Sequence, residues 1–375
     1  MDEWQPRCEW DLAETCSSSL TVQEVLDFAG TDLSGLPKRR LVYGDIRGSD
    51  KLRGNIASLY DASSGISPEH VLVTQGAIGA NFLVLLSLIS AGSHVVVAHP
   101  TYQQLTDTPR AFGADVTLWK QTPDKSWKHN VDELIPLLKP ETSLVIINNP
   151  KNPTGTHLDE TELEEVVTAV QRHASPECII LSDEVYSPLY HSLPEGSSPP
   201  PSILTVAARL GFKNAIATGS LSKAFALAGL RVGWIATPRP DLVTLFADVR
   251  NYNVISVSGL DDYIAAIALE PATRQKILKR NTELALLNRV KLQPFMDATG
   301  LEWVPTTSGT TALIKLPEGT DDVEFCRKLA REEKVLLCPG TYFEWSGWVR
   351  MGYVNESKEF EEGLEKLERF VKAMH

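Results

Sequence analysis

Cysteine is scarce in this chain. The five present, Cys8, Cys16, Cys178, Cys326 and Cys338, are scattered, odd in number and without CxxC spacing. That argues against a disulfide framework or a zinc site and for reduced thiols, as expected of a cytoplasmic protein. The eight histidines show no metal-ligand spacing, so no metal is expected. A basic excess is also missing: 36 Lys and Arg stand against 48 Asp and Glu, a net charge of −12. Such a balance leaves no electrostatic footprint for nucleic acid or an anionic membrane. Long apolar runs are absent. The longest, Phe82 to Ile89, is broken by Ser87 and is too short to span a bilayer. The start, Met1-Asp2-Glu3-Trp4, is acidic and has no apolar core, so no signal peptide is expected there. No internal repeat is visible.

What remains is a chain of 375 residues, enough for a large α/β domain and a smaller one. Short β-rich runs recur at Val71–Val73, Val95–Ala98, Val116–Trp119, Leu144–Ile147, Ile179–Leu181, Ala215–Thr218 and Val232–Ala236. Helix-like stretches separate them. In Glu160–Arg172, for example, Leu163, Val166, Val167 and Val170 fall on one face. Alternation of this kind predicts crossover units around a mostly parallel, seven-stranded sheet. The Gly-, Ser- and Pro-rich stretch His191 to Pro201 reads as a loop. After about Glu270 come charged helices, Thr273–Gln293 and Asp322–Glu333, then strand-like pieces at Ala312–Leu316, Val335–Cys338 and Trp348–Tyr353. These predict a second, α+β domain.

Polar clusters sit just past the strand-like runs, where parallel α/β sheets place their ligand sites. Thr74-Gln75-Gly76-Ala77-Ile78-Gly79 follows Val71–Val73. Asn148-Asn149-Pro150-Lys151-Asn152-Pro153-Thr154-Gly155 follows Leu144–Ile147, and Ser182-Asp183-Glu184-Val185-Tyr186 follows Cys178–Leu181. Ser220-Leu221-Ser222-Lys223 follows Ala215–Thr218, with Arg231 eight residues beyond the lysine. Lys223 is placed to form an imine with an aldehyde. A buried amine loses its proton readily, so it can serve as nucleophile and then as base.

In this order, the four segments resemble the pyridoxal-phosphate enzymes of the aminotransferase class I and II superfamily, fold type I. The match runs from about Tyr43 to Gly352. The resemblance implies a large cofactor-binding domain over 44–265 and a small α+β domain from 1–43 and 266–375. It implies pyridoxal 5′-phosphate on Lys223, with Asp183 keeping the pyridine nitrogen protonated and Tyr186 and Asn152 donating to the ring oxygen. Gly76, Ala77 and Ile78 would offer backbone N–H groups at a helix start to the phosphate, joined by Ser220, Ser222 and Arg231. Tyr102 matches the aromatic that stacks on the ring. Arg350, in Trp348-Val349-Arg350-Met351-Gly352-Tyr353, matches the clamp on the substrate α-carboxylate, beside Asn152 and Tyr102. Tyr43, with Gly48, Leu52 and Arg53, matches the segment whose tyrosine reaches the neighbouring subunit's phosphate, implying a homodimer with shared sites. The implied activity is amino transfer between an α-amino acid and an α-keto acid. The alternative is β-elimination, replacement or cyclisation on the same lysine. A non-catalytic domain of the same fold is disfavoured because all the anchors are present. Thr310 and Thr311, the segment Arg250-Asn251-Tyr252-Asn253 and the N-terminal Trp4…Cys8-Glu9-Trp10-Asp11 are similar to a branch that includes capreomycidine-synthase-like cyclases.

Overall fold

The computed structural model describes residues 3–125 and 127–374, so Met1 and Asp2 of the acidic start lie outside it. Twelve strands are found among these residues: β1 (Trp10–Asp11), β2 (Val71–Thr74), β3 (His94–His99), β4 (Asp115–Lys120), β5 (Thr142–Asn148), β6 (Ile179–Asp183), β7 (Ala215–Ser220), β8 (Gly233–Ala236), β9 (Thr311–Lys315), β10 (Val335–Leu336), β11 (Cys338–Pro339) and β12 (Trp348–Gly352). Seven of them form one sheet in the order β2-β8-β7-β6-β5-β3-β4. Its pairings are parallel except those of β8, which runs against both neighbours. Each predicted strand-like run lies at one of these strands. β2, β3, β6 and β7 are buried throughout, and β5 at every position but Ser143, which is why they read as continuous apolar runs rather than alternating ones.

Crossover helices cover both faces. Glu160–His173 buries the predicted stripe Leu163, Val166, Val167 and Val170, and Asp159 caps it through the N–H of Glu162. The apolar stretch Phe82–Ile89 is the C-terminal part of the helix Gly76–Leu88 together with its cap residue Ile89. Because β5, β6 and β7 run parallel, their C-terminal ends share one edge, where register sets Asn148 beside Asp183 and Asp183 beside Thr218. The reversed β8 begins at that same edge, opposite Ser220 on one side and Thr74 on the other.

The C-terminal third holds the antiparallel sheet β11-β12-β9, packed with helices Asp322–Glu332 and Ser357–Lys372 around a second apolar core. Two expectations are corrected here. Val335–Cys338 is not one strand: β10 pairs in parallel with the N-terminal β1, while β11 joins β12. The predicted helix Thr273–Gln293 is two, Pro271–Arg289 and Leu292–Thr299. Leu12 sits in this second core, and the amide of Gly352 donates to its carbonyl at 2.7 Å. A side chain at Gly352 would collide with the Glu14 carbonyl, so the glycine lets the N-terminal segment lie against β12. All five cysteines are free thiols. Among the described residues, no helix is long and apolar enough to cross a membrane.

Candidate active site

The C-terminal edge of the large sheet opens into a cavity of about 350 Å³. It gathers Ala77, Ile78, Tyr102, Asn152, Asp183, Tyr186, Ser220, Ser222, Lys223, Arg231 and Arg350, residues that lie up to 273 positions apart in the chain. Gly76 stands immediately behind it. Only Tyr43 of the predicted set is elsewhere, 74% exposed on an outer face of this chain.

One end of the cavity suits a phosphate. Helix Gly76–Leu88 starts there with no side-chain cap, leaving its first amides without a partner from their own helix. Gly76 has φ of 72°, and a Cβ on it would stand 2.8 Å from the Arg231 guanidinium. Only glycine accommodates both the left-handed turn and the arginine. Arg231 itself has φ of 52°, an uncommon backbone for a non-glycine residue; its side chain donates to the Ala228 carbonyl at 2.9 Å and reaches the Ser222 hydroxyl at 3.5 Å. The Ser220 hydroxyl donates to that of Ser222 at 2.8 Å. Two hydroxyls, an uncapped helix end and a guanidinium make a donor set fitted to a dianion.

Asp183, fully buried at the end of β6, faces the middle of the cavity. Burial pushes its carboxyl up to about 6, although donors at Asn81 and Val185 and the charge of Lys223 pull the other way. Asn81 Nδ2 donates to Asp183 at 2.8 Å, and Asn81 Oδ1 accepts from Thr218 at 2.6 Å. Sequence reasoning missed Asn81. Its signal was a polar residue inside an apolar helix, five residues beyond Gly76. A buried carboxylate of this kind welcomes a cation, such as a protonated pyridine nitrogen.

Arg350, on β12, enters from the other side. It donates to the Ala13 carbonyl at 2.8 Å and to Asn152 Oδ1 at 3.3 Å. Its buried Nε has no acceptor, and among the described residues no carboxylate pairs with it. An internal ion pair is therefore not what occupies this arginine, and with two of its five N–H groups bonded, others on its Nη atoms remain for an incoming anion.

Lys223 lies between these ends, its side chain 23% exposed. The sequence suggests an amine that burial makes easy to deprotonate. The structure corrects this: burial does pull the ammonium down, but Tyr186, Cys16 and Glu14 outweigh it and the net direction is upward. The amine donates to Thr15 Oγ1 at 2.6 Å and lies 3.3 Å from both Glu14 Oε1 and Cys16 Sγ. These three N-terminal residues were not anticipated, since nothing in their local pattern marks them as site residues. Among the described residues, no group of three or more His, Cys, Asp or Glu is placed to hold a metal ion.

Comparison with known proteins identifies the family. The family model for aminotransferase class I and II matches residues 17–367. Capreomycidine synthase of Streptomyces vinaceus is 31% identical over 323 residues, covering 86% of this chain and 78% of its own. Aspartate aminotransferase of Thermotoga maritima is 28% identical over 339 residues, covering 90% and 85%. Among solved structures, a PLP-dependent aminotransferase from Streptococcus suis superposes with a TM-score of 0.91 at 35% identity, covering 100% of this chain and 96% of that one. The PLP-dependent cyclase OrfR gives 0.87 at 26% identity, covering 100% and 97%. The chain belongs to the aminotransferase class I and II family of fold type I, and its cofactor is pyridoxal 5′-phosphate.

Proposed function

We propose that this chain transfers the amino group of an α-amino acid to an α-keto acid, with Lys223 as the group that carries the cofactor and moves the proton. The observation carrying this reading is that Arg350, with a donor to spare, opens into the same cavity as Lys223 and Asp183. When bound, pyridoxal phosphate supplies an electron sink for the bond that breaks at the substrate's Cα. The rest is the protein's work. The helix end, Ser220, Ser222 and Arg231 hold the phosphate, and Tyr102 covers the ring. Asp183 keeps the pyridine nitrogen charged, and Tyr186 and Asn152 bind the ring oxygen. Arg350 would fix the carboxylate so that the Cα proton faces Lys223, which would take that proton and deliver it to C4′ of the cofactor.

A second reading has a specific observation behind it: a capreomycidine synthase and a PLP-dependent cyclase match 86% and 100% of the chain. The same anchors serve elimination or ring closure. The two reactions differ in what they do to the cofactor. With amino acid alone, a transaminase stops after one turnover in the aminated form, loses its yellow band and regains it on addition of keto acid. A lyase or cyclase keeps the yellow form through many turnovers while ammonia, a leaving group or a ring-closed product accumulates; that outcome would replace the first reading by the second. In either case Arg350→Ala should raise the Michaelis constant for a true substrate by at least about tenfold, the loss of a charge-assisted pair, with a smaller change in kcat.

The assembly belongs to the same proposal. Leu41, Val42 and Tyr43 form an exposed apolar run lining an open groove with Val254 and Leu260. A homodimer that covers this run would carry Tyr43 to the partner's phosphate. The protein should then sediment as a dimer, and Tyr43→Phe should weaken cofactor retention about tenfold, one hydrogen bond to a charged group. A fully active monomer at assay concentration would refute this.

A further inference from the structure

The N-terminal segment brings a carboxylate into the cavity that the scheme above leaves unused. Glu14 stands 3.3 Å from the Lys223 amine, and its Oε1 also accepts the backbone N–H groups of Thr15 at 2.6 Å and Cys16 at 2.7 Å. The segment is pinned on both sides. Thr310 Oγ1 donates to the Thr15 carbonyl at 2.7 Å, the Ser17 amide to the Lys223 carbonyl at 3.3 Å, and Arg350 to the Ala13 carbonyl. The backbone that carries Glu14 is therefore fixed beside Lys223, and the carboxylate itself is held by the Thr15 and Cys16 amides.

We propose that Glu14 is a positioning residue for Lys223, a fixed anion that stabilises the ammonium formed when the lysine takes up the substrate proton. This rests on reading Lys223 as the reacting amine. The other groups facing Lys223 are Cys16, Tyr186 and Asp183. Burial pushes the Cys16 thiol up to about 11 and raises the Tyr186 phenol, so both are neutral near pH 7. Asp183 is turned to Asn81 and Val185 and is the natural partner of the cofactor nitrogen. Glu14 is thus the anion left for the lysine. Burial alone would raise its carboxyl, but Lys223 and the N–H groups of Cys16 and Thr15 hold it down at about 2. A carboxyl so acidic is a poor proton donor at neutral pH, which favours electrostatic support over general acid catalysis. A base that gains a fixed counter-ion as it becomes charged has a larger driving force for proton uptake, and no reorganisation is needed to supply it.

Glu14→Gln tests this, since the amide oxygen still accepts from Thr15 and Cys16. The first readout needs no turnover: trace acetylation of Lys223 in the full-length, cofactor-stripped protein, followed by mass spectrometry across pH. Removing the anion takes away one of the groups that oppose burial and so lowers the lysine's pKa. Labelling at pH 8 should rise about tenfold, the low end for losing an opposite charge at this separation. In the loaded enzyme kcat should fall about tenfold, the Michaelis constant should change less than about twofold, and the acid limb of kcat should move about one pH unit lower. Glu14→Asp should recover part of both effects. Unchanged labelling and an unchanged pH profile would overturn the proposal. So would a loss confined to the Michaelis constant of substrates with a cationic side chain, because Glu14 would then be reading the substrate. Failure of the functional reading shows separately, as absence of cofactor on Lys223.

Discussion

Lys223→Ala should abolish turnover, lowering it at least about ten-thousandfold, while pyridoxal phosphate still binds without a covalent link. One substitution removes both the amine that carries the cofactor and the base that moves the Cα proton, and the latter alone is worth 10²- to 10⁴-fold. Binding survives because the phosphate cradle and Asp183 are untouched. The identity of the lysine can be tested, because the chain offers a rival. Lys151 is completely buried, and burial lowers its ammonium to about 7 despite the charge of Glu162. By acidity alone Lys151 is the better nucleophile at neutral pH. By geometry it is not, since Lys223 lines the cavity and Lys151 does not. Borohydride treatment of the yellow protein followed by peptide mapping should place the label on Lys223, and label on Lys151 would show that acidity had prevailed over position.

Position was largely legible in the sequence because it follows from strand ends. In a parallel sheet the C-terminal ends share an edge, so motifs that each follow an apolar run must converge. Asn152, Asp183, Ser220 and Lys223 do so with their order in the sheet set by register. Less legible was whatever depends on contacts without a local pattern. Glu14-Thr15-Cys16 carries no periodicity of its own and reaches the site because β1 pairs with β10, more than three hundred residues away. The upward shift of Lys223 was missed in part for the same reason: burial was inferred from the flanking apolar residues, while of the groups that oppose it, Tyr186, Cys16 and Glu14, the last two come from the distant segment. Val335–Cys338 reads as one strand because its residues are uniformly β-prone. Only the folded chain shows two partners dividing it.

Asp183→Asn should lower kcat by more than about a hundredfold with little effect on folding. The aspartate is completely buried, and the rise of its pKa from 3.8 to about 6 costs the ionised form roughly 3 kcal/mol in the cofactor-free protein. The sign follows from linkage. The native state holds this proton more tightly than the unfolded state, so its contribution to stability falls as pH rises from 3.8 through about 6 and stays low above that. Neutral asparagine avoids this cost. It loses part of the gain because its amide cannot accept from both Asn81 Nδ2 and the Val185 amide, and one unpaired buried donor costs about 1–3 kcal/mol. The two effects nearly cancel. At pH 8 the cofactor-free variant should melt within a few degrees of the parent. Catalysis has no such compensation. Without the carboxylate the pyridine nitrogen gives up its proton and the electron sink weakens, a loss comparable to removing one preorganised electrostatic contact. Rates and melting curves measured on the same preparations separate the two roles. A variant within a few-fold of the parent in kcat would make Asp183 a structural cap on β6. A large loss of both activity and melting temperature would mean that the network through Asn81 to Thr218 matters for folding more than the charge matters for chemistry.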